Sequence, residues 1–460
     1  MPGCGRRAAL ASTLLLLAGC GSPQAAAGRA AGSAGSTTTA RPALAAGPAW
    51  TTYHGDAARS GVDATSPPMG SPRVLWRSAA LDGDVQAEPL LVDGHVIVAT
   101  EGDSLYSLDA GSGAVAWRVR LGTPVPRSML PCGNIFPLGI TGTPVVDRAA
   151  GLVYAVAESI PGTHTLVAVE LATGRERWRR GVDPPGMSPI TQQQRAALAL
   201  DAGRVVVAFG GLLGDCGAYH GWVVAVATDG GGPLLDFRVP GTREGGIWAP
   251  PGPVVDPDGT LLVATGNSEA VATLDGGDSV LRLSPDLRQL DQWAPADWRV
   301  LNTTDTDVGS ISPAEVGGGL LFQGGKSGRG SLLRAGHLGG EGGEAFAAEV
   351  CPGGSYGGTA LAAPSLYVPC VQGLRALRIG PGATFSVTWT GPATGSPILA
   401  GGVVWATASG QGVLLALDPA SGAERARVEV GPTLRFATPA SLGGTLVVAS
   451  GASIVAVTGV

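Results

Sequence analysis

Short apolar runs alternate with turns along this chain, and one composite pattern recurs. An alternating apolar strand enters a small-residue turn and then reaches Trp or Phe. It reads LYSLDAGSGAVAW at residues 105–117, LVAVELATGRERW at 166–178 and VVAVATDGGGPLLDF at 223–237. Weaker copies occupy 280–293, 332–346, 374–389 and 414–428. Between them lies a second unit, a turn followed by two apolar strands, which begins at Glu88, Thr143, Pro251, Ser396 and Thr438. The aromatic ends recur roughly every 40–60 residues, and with four short strands per unit this period predicts a β-propeller. No unit can bury its own face alone, so neighbours must stack and the ring must close.

The two ends of the chain indicate how it closes. SIVAVTGV at the C-terminus is the inner half of a repeat with no aromatic strand after it, and RVLWRSAAL around Trp76 supplies the missing strand. An N-terminal strand that completes the last blade would remove the open sheet edge. The expected fold is therefore all-β, an eight-bladed propeller of four-stranded antiparallel blades, spanning residues 50–460. The 74 glycines and 35 prolines suit a turn-dense β chain.

Residues 1–19 read as an export signal. Arg6 and Arg7 precede an apolar run from Leu10 to Ala18 that is too short to span a bilayer. The run ends Leu17-Ala18-Gly19-Cys20, which matches the lipobox of bacterial lipoproteins. Cys20 is the expected lipidation site, and residues 20–49, rich in Ala, Gly, Ser, Thr and Pro, read as a flexible tether. The expected location is outside the cytoplasm, anchored to a membrane by lipid on Cys20. The net charge of −6 becomes more negative once Arg6 and Arg7 leave with the signal. An acidic chain with scattered charge is a poor nucleic-acid binder, and a monomer is expected.

Six cysteines are present. Apart from Cys4 and Cys20, four remain: Cys132, Cys216, Cys351 and Cys370. In an exported protein disulfides are the default, and four cysteines allow three pairings. With strands running A to D from axis to rim, the D–A and B–C loops share one face. Cys132 falls in a D–A loop and Cys216 in the B–C loop of the next blade. Cys351 and Cys370 fall in the D–A and B–C loops of one blade. Pairs 132–216 and 351–370 follow. The rival, a metal site, lacks any short Cys–Cys ligand spacing. His54, His95, His164, His220 and His337 share no spacing and read as loop or surface residues.

The repeats resemble the pyrroloquinoline quinone (PQQ) repeat family over about residues 50–460. That family contains eight-bladed quinoprotein dehydrogenases and propeller lipoproteins without cofactor. The opening WTTYHGDAARSGV also looks like the start of such exported propellers, with Trp50 and Tyr53 as a packed lead-in. Several segments resemble the dehydrogenase site. GGIWAPPGPVVDPDGTLLVATGN places Trp248 as a cofactor platform and Asn267 as a calcium ligand. TTDTDVGS places Asp305 or Asp307 as catalytic base, and GGKSGRGSLL places Lys326 at the quinone. GDCGAYHGWVVAV puts Asp215, beside Cys216, where a calcium-ligand Glu would stand.

The resemblance thus implies a coherent chemistry. Calcium would polarise the quinone carbonyl, an Asp would take the alcohol proton, and Trp248 would support a flat cofactor. Two departures oppose it: the vicinal Cys pair is absent, and the acidic ligand is a displaced Asp. Each residue also has a plain structural role open to it. Trp248 could pack between blades, Asn267 after Gly266 fits a left-handed turn, the two Asp could cap turns, and Lys326 could be solvated. The expectation is an exported, non-enzymatic binding module for a small ligand or an envelope protein, without cofactor. The alternative is a PQQ- and calcium-dependent dehydrogenase of an alcohol or sugar.

Overall fold

The computed structural model describes residues 47–460. The signal segment and Cys20 lie outside the described residues. Eight four-stranded antiparallel blades form the propeller. Blade one runs from Leu90–Val92 to Val115–Arg120, and blade two from Val145–Asp147 to Glu176–Gly181. Blade three spans Ala199–Asp201 to Leu235–Arg238, blade four Val254–Val255 to Gln289–Ala294, and blade five Ala314–Gly317 to Phe346–Glu349. Blade six spans Ala360–Ala362 to Thr384–Thr390, and blade seven Ile398–Ala400 to Glu424–Glu429.

Blade eight takes three strands from the C-terminal region, Ala440–Leu442, Thr445–Ser450 and Ser453–Thr458. Its fourth is Arg73–Arg77, antiparallel to Ser453–Thr458 with Trp76 opposite Ala456. The ring is closed as the sequence predicts.

The recurring aromatic and the recurring small-residue turn turn out to be two halves of one joint. Trp76, Trp117, Trp178 and Trp389 each sit on an outermost strand and donate their indole N–H to a carbonyl in the C–D turn of the next blade. The acceptors are Ala110, Leu171, Thr228 and Pro419, at 2.9, 2.9, 3.2 and 3.0 Å. The ring then covers a glycine of that same turn. A Cβ on Gly174 would lie 2.7 Å from Trp117, and Gly174 has φ +71°. Only glycine permits both the close approach and the left-handed backbone.

Residues 50–61 lie along the axis and bond to the inner strands around it. Trp50 pairs with Leu91 of blade one, and Thr51 O accepts from Val146 N of blade two. Ala57 O, Ser60 O and Gly61 O accept from Val255, Leu361 and Leu399 of blades four, six and seven. Arg59 donates to Leu198 O and Pro253 O, and the Tyr53 hydroxyl reaches Ser396 and Thr438, both at 3.1 Å. Trp50 and Tyr53 are buried here, packed lead-in residues as expected.

His164, buried on the strand Thr163–Glu170, corrects the loop-or-surface reading of the histidines. His54 and His164 are fully buried and His220 nearly so. His164 lies between Glu158 and Asp183, at 3.2 and 2.7 Å. Burial opposes its charge, but Glu158 and Asp183 outweigh it and push its pKa up to about 10. A polar residue on an alternating strand takes its environment from partners far along the chain, which spacing does not reveal. His54 and His220 lie in loops and His337 is exposed, as the reading allows, while His95 starts a strand and is half-buried.

Candidate functional site

The loops of one face surround a cavity of about 570 Å³. Its walls come from seven of the D–A connections and three B–C loops. Asp215, Asn267 and Lys326 stand on the B–C loops of blades three, four and five. Trp248 stands between blades three and four, and Asp305 and Asp307 between blades four and five, just after the helix Trp298–Thr303. All six predicted site residues thus line one cavity.

Their geometry is specific. Asp307 is buried and its carboxylate is fully engaged. Oδ1 accepts the Asn267 backbone N–H at 2.9 Å. Oδ2 accepts the Trp248 indole N–H at 3.0 Å and pairs with Lys326 Nζ at 2.8 Å. Lys326 also holds Asp305 at 2.6 Å. A Cβ on Gly266 would lie 3.1 Å from the Asp307 carboxyl, so glycine there lets the Asn267 amide approach. Burial works against the Lys326 charge, but Asp307 and Asp305 override it and hold its pKa well above the usual lysine range. Lys326 is therefore an ion-pair partner rather than a solvated side chain, and its ammonium sits 5.7 Å from the centre of the Trp248 ring.

Asp215 accepts from the Tyr219 hydroxyl at 2.6 Å, and burial, with Asp305 and Asp307 nearby, raises its pKa. Asn267 does not take the left-handed conformation expected of it; Asp215, Glu244 and Asp305 do, at φ +48°, +71° and +50°. The Asn267 side-chain amide instead donates to Glu244 at 3.1 Å. Trp248 is half-exposed to the cavity, not sealed between blades.

Sequence reading missed several walls and one residue behind them, Glu244, which holds the Asn267 amide. Glu244, whose pKa burial lifts to about 7, lies only four positions before Trp248 in TREGGIW, a nearness that could have flagged it. Tyr356, Arg195, Arg435 and Phe436 come from loops between other blades and carry no local pattern. Arg195 and Arg435 both stack on Phe436, at 4.4 and 5.6 Å from ring centre to guanidinium carbon, and Arg435 lies 4.3 Å over Tyr356.

Both expected disulfides are present, Cys132–Cys216 and Cys351–Cys370. The first sits beside the lining residues Leu212 to Asp215. Cys370 borders a smaller recess next to Tyr356, Arg435 and Phe436.

A resident calcium does not fit this donor set. Calcium takes about six to eight oxygens. Here both Asp307 oxygens are spent, Asp215 is tied to Tyr219, and a lysine ammonium already fills the positive role. Among the described residues no three His, Cys, Asp or Glu converge as a metal site.

The comparisons follow the repeats. A family model described as outer membrane protein assembly factor BamB matches residues 58–312. The chain belongs to this PQQ-repeat propeller family. Among solved structures it is similar to the quinohemoprotein alcohol dehydrogenase ADHIIG from Pseudomonas putida HK5, with TM-score 0.69 and 15% identity over 89% of this chain and 80% of that one. A europium-containing methanol dehydrogenase gives 0.65 and 15% over 88% and 90%. BamB from Moraxella catarrhalis gives 0.56 and 15% over 85% and 99%. At such identity the likeness speaks to the fold. No curated protein matches the sequence.

Proposed function

We propose that this chain is an exported, lipid-anchored propeller that binds a small molecule in its axial cavity without transforming it. One observation carries the reading: of the two carboxylates that a dehydrogenase would use as base, Asp307 is engaged by Lys326, Trp248 and the Asn267 amide together, and Asp305 is paired with the same Lys326. A carboxylate holding three donors is poorly placed to take a substrate proton. Two disulfides and the lipobox at Cys20 support a location outside the cytoplasm. Gly47, the first described residue, accepts from Arg148 in the A–B turn of blade two, on the face opposite the cavity.

A PQQ-dependent dehydrogenase is the second reading. It is favoured by the convergence of Trp248, Asn267, Asp307 and Lys326 in the positions that the resemblance implies. In that case Trp248 would support the quinone and Lys326 would contact it, while the cofactor supplied the redox chemistry.

Incubation of the purified chain with PQQ and calcium separates the two. The binding reading expects no reduction of an artificial electron acceptor; reduction by the loaded protein overturns it. Cys20→Ser should move the protein from membranes to the soluble fraction, and retention in membranes overturns the anchor.

A further inference from the structure

The two ends of the cavity differ in how their charges are used. At one end three carboxylates, Asp215, Asp305 and Asp307, share the single ammonium of Lys326. The second oxygens of Asp215 and Asp305 accept no hydrogen bond among the described residues. At the other end Arg195 and Arg435 make neither ion pair nor side-chain hydrogen bond among the described residues; both stack on aromatic rings, and Arg195 also feels the charge of the buried Glu101 at longer range. Burial brings the Arg195 pKa down to about 10, so it stays charged at neutral pH. A guanidinium offers five N–H donors in a planar fork suited to carboxylate or phosphate. Two of them on the wall of one cavity, both over Phe436 and neither held by an ion pair, form a seat for an anion.

We infer that the cavity is a dipolar site for a zwitterionic small molecule, its oxyanion end at the cavity edges of Arg195 and Arg435 and its ammonium end at Asp215 and Asp305. A plain dianion would meet the surplus of carboxylates at the far end, and a plain diamine would meet the arginines. Trp248 and Tyr356 lie between the ends and provide apolar surface for the body of the ligand. This inference rests on the proposed role of the cavity as a binding site.

The test is calorimetric titration of the whole mature chain with straight-chain ω-amino acids of increasing length, the matching dicarboxylates and the matching diamines. At the best length the amino acid should bind at least about tenfold more tightly than either symmetric partner. Arg435→Gln, an exposed position, should weaken it about tenfold or more, and Asp215→Asn should do so independently. Arg195→Gln should act like Arg435→Gln; if it unfolds, the Arg435 variant still decides. Equal binding of amino acid and dicarboxylate overturns the acidic half, and equal binding of the diamine overturns the arginine half. Absence of binding by all three series overturns the dipolar site. A ligand from an unrelated chemical screen that binds unaffected by Arg435→Gln but is lost in Trp248→Ala would leave the binding role standing without the dipolar site. Failure of every ligand to depend on Trp248 would remove both.

Discussion

The Trp248 indole N–H donates to Asp307 Oδ2 at 3.0 Å, so the aromatic floor of the cavity and its central carboxylate are held by one bond. That bond spans two D–A loops and fixes the ring with one side open to the cavity. Trp248→Ala should remove ligand binding while costing little stability. Trp405, fully buried in blade seven, provides the contrast: Trp405→Ala should cost about 3–5 kcal/mol. Urea denaturation of the two variants checks this. A Trp248 loss as large as the Trp405 loss would make the ring a core residue.

Lys326 neutralises Asp305 and Asp307 and keeps a divalent cation away from them. Lys326→Gln leaves Asp305 and Asp307 without their shared counter-charge, with Asp215 lining the same cavity, and uncompensated carboxylates attract a hard cation. The variant should gain measurable calcium affinity that the parent lacks, read as a calcium-dependent rise in melting temperature. A variant indifferent to calcium would show that Lys326 does not hold the place of a metal.

The joint between blades was legible in the sequence as a pattern without a mechanism. Trp117 and the glycine-bearing turn of blade two are 57 positions apart, and the alternation of strands is enough to predict both elements. That the indole lands on Gly174 follows only from stacking. The face shared by the D–A and B–C loops was legible for a firmer reason. Strand direction alternates, so topology alone puts Cys132 near Cys216 and gathers Trp248, Asn267, Asp307 and Lys326 at one end. What escaped was whatever depends on pairing across the ring. Arg195 and Arg435 meet over Phe436 from the loops before blades three and eight, and no periodicity encodes that meeting. His164 likewise gives no hint of Glu158 and Asp183.

Gly174 tests the joint directly. A side chain there must adopt φ +71° and push into Trp117. Gly174→Ala should destabilise the chain by about 1–3 kcal/mol, and Trp117→Ala combined with it should recover part of the steric cost. Strict additivity of the two losses in a double-mutant cycle would mean the ring and the glycine do not interact.

Stability should fall as pH rises above neutrality. Burial lifts Glu101 to about 8 and Asp103 to about 7, and the neighbouring carboxylates Glu158 and Asp183 hold His164 at about 10. Unfolded, the two acids would lose their protons near pH 4 and the histidine near pH 6.5. Between pH 6.5 and 8 the folded chain therefore holds protons that the unfolded chain has released. Each such excess proton lowers stability by about 1.4 kcal/mol per pH unit. Glu101 accepts from Gly139 N and Thr141 Oγ1, at 2.7 and 2.8 Å, and lies within a B–C turn. Glu101→Gln should flatten the decline measured by urea denaturation at pH 6.5 and 8.5. A stability that is level or rises across that interval would mean these groups are not protonated in the fold.

Closure of the ring rests on Arg73–Arg77. Its pairing with Ser453–Thr458 completes blade eight, and Trp76 carries the joint onward to the turn of blade one through Ala110 O and Gly113. Deleting residues 73–80 removes a strand and a joint together. It leaves the last C-terminal strand with an unpaired backbone edge, a template for association with other chains. Trp76→Ala keeps the strand and loses only the joint. The deletion should aggregate or sediment as oligomers, while Trp76→Ala should remain monomeric with a lowered melting temperature. A deletion variant as stable and monomeric as the parent would show that blade eight holds without its N-terminal strand.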